Sequence, residues 1–247
     1  DNLASRLDQV GSVTSLTFGW MIMQVPETIL GTAIATAMLP TLSEYASRHE
    51  WTEFRATIER ALRFLIALSI PVAAVMAAGI NPLVRVVFGF DEATSTLLTW
   101  TTRAYLLTLT GYVIHEVAVR SFYARKEPMV PLYAVLLRLA LFLGIGIAGV
   151  RLFRDVGAPI IAFAEIALLV EAIVLFTLLS RRMHEPLGVW GAVGKGVAAA
   201  VVGGATAYSL AVIVPGSAVW TALLGMVVGG LVCLPIIWSE IKLLLKL

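Results

Sequence analysis

The longest uncharged stretch of the sequence runs from Gly196 to Ser239 and contains no acidic or basic residue. A helix needs about 20 consecutive apolar residues to cross the hydrocarbon core of a bilayer, so this stretch is long enough for two crossings. Pro215 and Gly216 lie near its middle, and this pair favours a turn between two helices. Because backbone polar groups must be paired in lipid, a stretch of this kind predicts a hairpin of two transmembrane helices.

The composition extends this conclusion to the whole chain. Hydrophobic residues make up 59% of the sequence and charged residues 14%, compared with about 25% charged residues in soluble domains. We therefore predict an all-α, polytopic integral membrane protein. The net charge of +2 gives no indication of nucleic-acid binding. The single cysteine, Cys233, excludes a disulfide within the chain.

Earlier apolar runs predict five further spans before the hairpin. The stretch 47–63 between two of them has basic and acidic residues on one face and apolar residues at helical spacing on the other. This pattern fits an interfacial helix, and it equally fits a solvated helix extension. The predicted elements are a helix stub at 1–8, spans at about 12–46, 62–80, 94–123, 129–150 and 157–180, and the hairpin within 186–247.

The basic residues indicate the orientation. If the spans alternate sides, twelve of the eighteen Lys and Arg residues fall on one face, and Arg138 lies inside a span. Basic residues concentrate on the cytoplasmic side of membrane proteins, so the first face, which includes the C-terminus, is predicted to be cytoplasmic. The five on the other face are Arg6, Arg85, Arg103, Arg151 and Arg154.

The span 12–46 has an unusual middle. Pro26 interrupts it, and two polar residues, Gln24 and Glu27, lie beside the proline. A proline frees a backbone carbonyl that only a neighbouring helix, a polar side chain or water can satisfy in lipid. We therefore expect this break to face a cavity or another helix; the alternative is a helix with ordinary packing prolines, which are common in transmembrane helices.

Several ionisable residues lie inside the predicted spans. Arg138 is about ten residues into its span, where an unpaired charge costs several kcal/mol. Its candidate partners are Glu165, Glu171 and Asp1. Two interpretations remain open: an ion-pair network that rearranges during transport, and a fixed pair that holds helices together.

The sequence contains no catalytic constellation. The three histidines, His49, His115 and His184, and the single cysteine lack metal-ligand spacing. We therefore predict no enzyme activity, no metal and no cofactor. Gly225 and Gly229 form a GxxxG pattern, which we interpret as internal helix packing rather than a dimer contact.

Three segments carry a resemblance to a known family. VPETILGTAIATAMLPTLSEYAS at 25–47, EFRATIERALRFLIALSIP at 53–71 and RSFYARKEP at 120–128 resemble the MurJ (MviN) family of lipid II flippases, in the multidrug/oligosaccharidyl-lipid/polysaccharide exporter superfamily. The resemblance covers about residues 1–185, in order. It marks four residues as a cytoplasmic signature: Arg120, Phe122, Tyr123 and Arg125.

The resemblance implies two lobes of six helices around a cavity, followed by two additional helices. Residues 1–185 would be the C-terminal lobe with its first helix truncated, and 186–247 the additional hairpin, which in the family borders a groove for a lipid tail. The implied partners are an undecaprenyl-diphosphate-linked precursor, membrane lipids and a missing N-terminal lobe. The implied function is flipping of lipid II by alternating access in the bacterial inner membrane. This function is compatible with a coupling ion such as sodium or a proton.

One position departs from the family pattern. In many members the first complete helix supplies a cavity arginine and a nearby acid before its proline, and the matching residues here are Met21 and Gln24. Met21, Gln24, Pro26 and Glu27 are therefore the candidate cavity residues. The departure leaves three alternatives: phosphate binding by the missing lobe, export of another lipid-linked oligosaccharide, or a non-transporting role as a membrane partner of a cell-wall synthesis complex.

Overall fold

The computed structural model describes residues 11–153, 158–183, 187–213 and 217–244, and every regular element in these ranges is helical. The predicted stub at 1–8 and the turn at Pro215-Gly216 lie outside the described residues. The α-helices in the described ranges are α1 Ser12–Glu27, α2 Ala33–Ser47, α3 Trp51–Phe88, α4 Glu92–Leu106, α5 Leu109–Ala124, α6 Met129–Leu152, α7 Ala158–Phe163, α8 Ile166–Arg182, α9 Trp190–Ile213 and α10 Ala218–Leu244.

Six helical stretches in the described part of the chain are long and apolar enough to cross a membrane. They confirm the predicted fold class, an all-α protein with several membrane spans. The six stretches are Ser12–Ser47, Trp51–Phe88, Met129–Leu152, Ala158–Arg182, Trp190–Ile213 and Ala218–Leu243.

The predicted span 12–46 is not a uniform α-helix. A five-residue π-helical segment, Thr28–Thr32, joins α1 to α2 and begins two residues after Pro26. Proline has no backbone N–H, so the regular hydrogen-bond ladder cannot continue through it. The wider π turn follows directly, and such turns occur frequently at functional sites.

From Trp51 onward the stretch 47–63 is a helix extension, the second of the two interpretations that its pattern left open. The amphipathic stretch continues without a break into the predicted span 62–80, and both belong to the 38-residue helix α3. No glycine or proline interrupts residues 51–70, so nothing in that stretch breaks the helix. Helix α3 ends at Phe88 before Gly89, whose φ of 61° is left-handed. It packs against α4, α5, α9 and α10 and is the central element of the fold.

Two other predicted spans are each divided into two helices. The predicted span 94–123 comprises α4 and α5, which meet at Leu107 and Thr108. The hydroxyl of Thr108 donates to the Tyr105 carbonyl at 2.7 Å, and this local bond competes with the helical ladder. The predicted span 157–180 comprises α7 and α8, which meet at Ala164 and Glu165 through tighter turn bonds.

Helices α9 and α10 form the predicted hairpin and pack closely on each other and on α3. A Cβ atom added to Gly225 would lie 2.6 Å from the Ala207 carbonyl oxygen, and one added to Gly229 would lie 2.6 Å from the Gly203 carbonyl oxygen. The backbones therefore approach as closely as they do because glycine occupies these positions. The interpretation of the GxxxG pattern as internal packing is confirmed.

An ion-pair cluster also fastens the hairpin to α3. The Glu240 side chain on α10 is only 1% exposed. It accepts hydrogen bonds from Arg63 Nε at 3.0 Å and Arg63 Nη2 at 3.2 Å, and from Lys195 Nζ on α9 at 2.6 Å. One buried carboxylate thus joins three helices.

Candidate functional site

Two hydroxyls of the π-helical segment donate hydrogen bonds to Glu27, one of the predicted cavity residues. Glu27 is 9% exposed, and its carboxylate accepts hydrogen bonds from the hydroxyls of Thr32 at 3.0 Å and Thr28 at 3.3 Å. Gly31 lets this carboxylate approach α5, because a Cβ there would lie 3.3 Å from both Glu27 Oε1 and Val113 Cγ1. The break at Pro26 therefore buries a carboxylate between α1 and α5.

The other predicted cavity residues do not share one surface. Pro26 is buried like Glu27, whereas Met21 is 52% exposed and Gln24 is also exposed. Met21 and Gln24 are three residues apart and lie on the same face of α1. That exposed face carries no arginine or lysine, since α1 contains neither residue. The roles of these four residues in a cavity stay predictions.

Arg138 on α6 lies against two acids, Glu165 at the junction of α7 and α8 and Glu171 in α8. Its Nη2 atom is 2.9 Å from Glu165 Oε2, and its Nη1 atom is 3.8 Å from Glu171 Oε2. Nη2 also donates to the Tyr112 hydroxyl of α5 at 3.3 Å. The third predicted partner, Asp1, lies outside the described residues.

The structure extends this cluster along α5 with residues that the sequence analysis did not assign to it. His115 Nε2 is 3.3 Å from Glu171 Oε1, and His115 Nδ1 is 3.8 Å from Glu116 Oε1. Arg120 forms an ion pair with Glu116 and lies 3.4 Å from the Thr36 hydroxyl of α2. We call the six ionisable residues the polar network: Arg120, Glu116, His115, Glu171, Arg138 and Glu165.

The polar network crosses the middle of the fold. Arg138 is the tenth of 24 residues in α6, and the Glu171 side chain in the stretch Ala158–Arg182 is 0% exposed. A fully buried carboxylate is costly unless it is ion-paired and hydrogen-bonded. Neither oxygen of Glu171 completes a hydrogen bond with the described residues. Glu171 is therefore stabilised by its ion pairs with Arg138 and His115, without a completed hydrogen bond.

A sequence signal for the missed residues was present. His115 and Glu116 are ionisable residues inside a predicted span, as Arg138 is, and the same cost of burial applied to them. The histidines were assessed only for metal-ligand spacing, which gives no indication of an ion-pair cluster. In the described part of the chain no group of three His, Cys, Asp or Glu residues has the arrangement of a metal site.

The signature residues of α5 have separate structural roles. Arg120 belongs to the polar network, Phe122 is fully buried, and Tyr123 is 50% exposed. The guanidinium of Arg125 stacks 4.8 Å above the centre of the Trp51 ring, which connects the end of α5 to the start of α3. Lys126 then adopts a left-handed φ of 59° and ends the helix. This segment therefore ends α5 and connects it to α3.

An apolar cavity of about 310 Å³ lies between α3 and α10. Pro71, Val75, Met226 and Leu234 are among its lining residues, and almost all of its surface is apolar. A cavity of this character accommodates a hydrocarbon chain and excludes a charged group. The groove for a lipid tail that the family resemblance implies beside the hairpin stays a prediction.

Comparison with known proteins places these features in a family context. The family model described as "Lipid II flippase MurJ" matches residues 1–228. A "Probable lipid II flippase MurJ" of Rhizobium meliloti (strain 1021) is 30% identical over 192 residues, which are 74% of this chain and 34% of that protein. The "Lipid II flippase MurJ" of Burkholderia cenocepacia is 29% identical over 133 residues, 53% of this chain and 26% of that protein. The chain therefore spans about a third or less of these relatives.

A solved structure has the same fold. It is described as "Lipid II flippase MurJ, inward closed conformation" and superimposes with a TM-score of 0.77 at 18% sequence identity. The match covers 98% of this chain and 49% of that chain. The overall fold of this chain has thus been seen before.

Proposed function

The chain belongs to the lipid II flippase MurJ family, and from this premise we propose that it is the C-terminal part of a transporter that moves a lipid-linked peptidoglycan precursor across the bacterial inner membrane. The observation that carries the proposal is the family match over residues 1–228, which includes the lobe and most of the hairpin. The proposed action is transport, with no bond made or broken in the substrate. Lipid II is named as the substrate of the relatives.

The proposed mechanism is alternating access by two lobes. The chain covers 49% of the solved relative, so we propose that an N-terminal lobe outside this sequence supplies the other half of the cavity. Divided helices, such as α4–α5 and α7–α8, are typical of transporters in which one helical unit rocks against another. The apolar cavity between α3 and α10 would hold part of the lipid tail.

The distribution of charge supports a cytoplasmic C-terminus. The basic residues near the end of α5, the end of α8 and the start of α3 lie together, because Arg125 covers Trp51 and Arg182 lies 3.5 Å from Glu127. Lys195 at the start of α9 contacts Glu240 near the end of α10 at the same end of the fold. Basic residues on one side of a membrane protein favour that side for the cytoplasm.

A second candidate substrate is another lipid-linked oligosaccharide. The observation that favours it is the exposed face of α1, where Met21 and Gln24 provide no cation for a diphosphate. Arginine suits that contact because it stays charged and binds phosphate oxygens in pairs. If lipid II is the substrate, we propose that the basic ligands for its diphosphate come from the N-terminal lobe.

Complementation tests the proposal. The complete gene that encodes this chain is expressed in a bacterium depleted of its own lipid II flippase, and survival is scored with membrane insertion verified by immunoblot. We expect rescue. Failure of the inserted protein to rescue would favour export of another lipid-linked oligosaccharide, or a non-transporting role beside a cell-wall synthesis complex.

A further inference from the structure

His115 lies between two carboxylates, one at each ring nitrogen. Its Nε2 atom lies 3.3 Å from Glu171 Oε1 and its Nδ1 atom lies 3.8 Å from Glu116 Oε1, and neither nitrogen completes a hydrogen bond with the described residues. A neutral imidazole carries one N–H, so its other nitrogen would hold a lone pair near a carboxylate oxygen. Only the imidazolium form carries an N–H on both nitrogens and a positive charge between the two acids.

The charges of the polar network give the same result by a separate argument. Its permanent cations are Arg120 and Arg138, whereas three carboxylates lie between and beside them. With a neutral His115 the network therefore has one uncompensated negative charge. Glu171 is fully buried, and a buried charge without a full set of partners is strongly unfavourable. One additional positive charge makes the network neutral.

The other polar groups that face this part of α5 do not provide that charge. The Tyr112 hydroxyl accepts a hydrogen bond from Arg138 and is neutral. Glu27 approaches α5 at Val113 from the π-helical segment, and its carboxylate is held by the hydroxyls of Thr28 and Thr32. Neither the Tyr112 hydroxyl nor the Glu27 carboxylate supplies a positive charge, so the network still requires one at His115.

We propose that His115 is a proton-binding site, in which one proton taken from water is held between Glu116 and Glu171. No other bond is formed or broken when the proton binds or leaves. Its departure restores the negative charge, which favours a new arrangement of Arg138 relative to α8. Glu165 lies at the division between α7 and α8, and divided helices are where transporters place coupling ions.

Nitrogen NMR of the histidines tests the site without any transport measurement. The 247-residue chain contains three histidines, and the variants His49→Gln and His184→Gln assign two of the three signals in a chain labelled with ¹⁵N-histidine. A histidine in water is about one-tenth imidazolium at pH 7.5. We expect His115 to be mainly imidazolium at that pH, with both nitrogens protonated. A neutral His115 with a single tautomer at pH 7.5 would overturn the proposal. A neutral ring whose nitrogen chemical shifts change when sodium is added would also overturn it, because the site would then respond to a metal cation instead of a proton.

A pair of variants separates this site from a general effect of charge. Glu171→Gln removes one carboxylate, so the network is balanced with a neutral ring and His115 should lose its proton at pH 7.5. Glu44→Gln removes the carboxylate of an exposed ion pair with Arg48 and should leave the His115 signal unchanged. An imidazolium that persists in Glu171→Gln would contradict the charge argument.

The use of this proton for coupling rests on the proposed function. In proteoliposomes an imposed pH gradient should change the rate of lipid II translocation by the wild-type protein, and His115→Gln should remove that dependence. Wild-type protein that carries an imidazolium but moves no lipid would refute the proposed function and leave the proton site supported. Translocation by a protein whose His115 is neutral would refute the proton site and leave the function supported.

Discussion

Removal of the Glu240 carboxylate should weaken the attachment of the hairpin to α3. In Glu240→Gln the three hydrogen bonds from Arg63 and Lys195 lose their charged acceptor. Loss of one partner from a buried ion pair costs about 3–5 kcal/mol. Here the two cations are 32% and 40% exposed and regain some water, so we expect the lower end, about 3 kcal/mol.

The assay is thermal unfolding of the purified protein in detergent. For a chain of this size about 1 kcal/mol corresponds to 2–4 °C in Tm, so Glu240→Gln should lower Tm by about 6–12 °C. Glu44→Gln is the matched control, because it removes an ion pair whose side chains are 62% and 55% exposed. An exposed pair contributes about 0–1 kcal/mol, so its Tm should change by a few degrees at most.

The pattern of the loss tests the reasoning further. Hydrogen exchange should show the largest loss of protection in α9 and α10, and Lys195→Met should cost much less in Glu240→Gln than in the wild-type protein. Equal Tm changes for the Glu240 and Glu44 variants would refute the claim that this carboxylate joins three helices.

Three further predictions address other parts of the fold. Gly225→Ala should destabilise the protein by about 1–3 kcal/mol, because the added Cβ would meet the Ala207 carbonyl. Gly230→Ala, whose Cβ would have no atom within 4 Å, should be neutral or stabilising, and equal effects of the two variants on Tm would contradict the close packing. Arg138→Met should abolish rescue of a flippase-depleted strain while Arg138→Lys retains part of it, and full rescue by the Met variant would exclude a role for that charge. A hydrogen bond with Thr94 lowers the pKa of Asp91, the residue that caps α4. The stability that Asp91 adds relative to Asp91→Ala should therefore be present above about pH 4 and be lost as the pH falls through the lowered pKa. A Tm difference between the two proteins that does not depend on pH would refute this.

Features that depend on length and apolarity could be predicted from the sequence. Apolar runs of the required length located the hairpin and α6, since a helix pairs all of its backbone groups within one segment in lipid. The π-helical segment was anticipated as a break, because Pro26 cannot continue the ladder. Arg138 could be matched with Glu165 and Glu171, since a charge inside a span requires a partner.

Features that depend on local bonds or on helix rotation could not be predicted in this way. The division at Thr108 involves a hydroxyl bonded to its own helix, and no proline or glycine marks it. The place of His115 between Glu116 and Glu171 depends on how α5 is rotated against α8, which tertiary packing decides. The continuity of α3 was one of two open interpretations, because an amphipathic pattern before an apolar one fits both an interfacial helix and a helix extension.

Direct translocation of lipid II in proteoliposomes tests the central claim, that this chain is part of a flippase whose polar network is needed for transport. The complete protein, its Arg138→Met variant and its Glu44→Gln variant are reconstituted, and the fraction of labelled lipid II that reaches the opposite leaflet is followed in time. We predict movement by the wild-type and Glu44→Gln proteins and none by Arg138→Met. Absence of movement by folded wild-type protein, or equal movement by all three, would contradict the account.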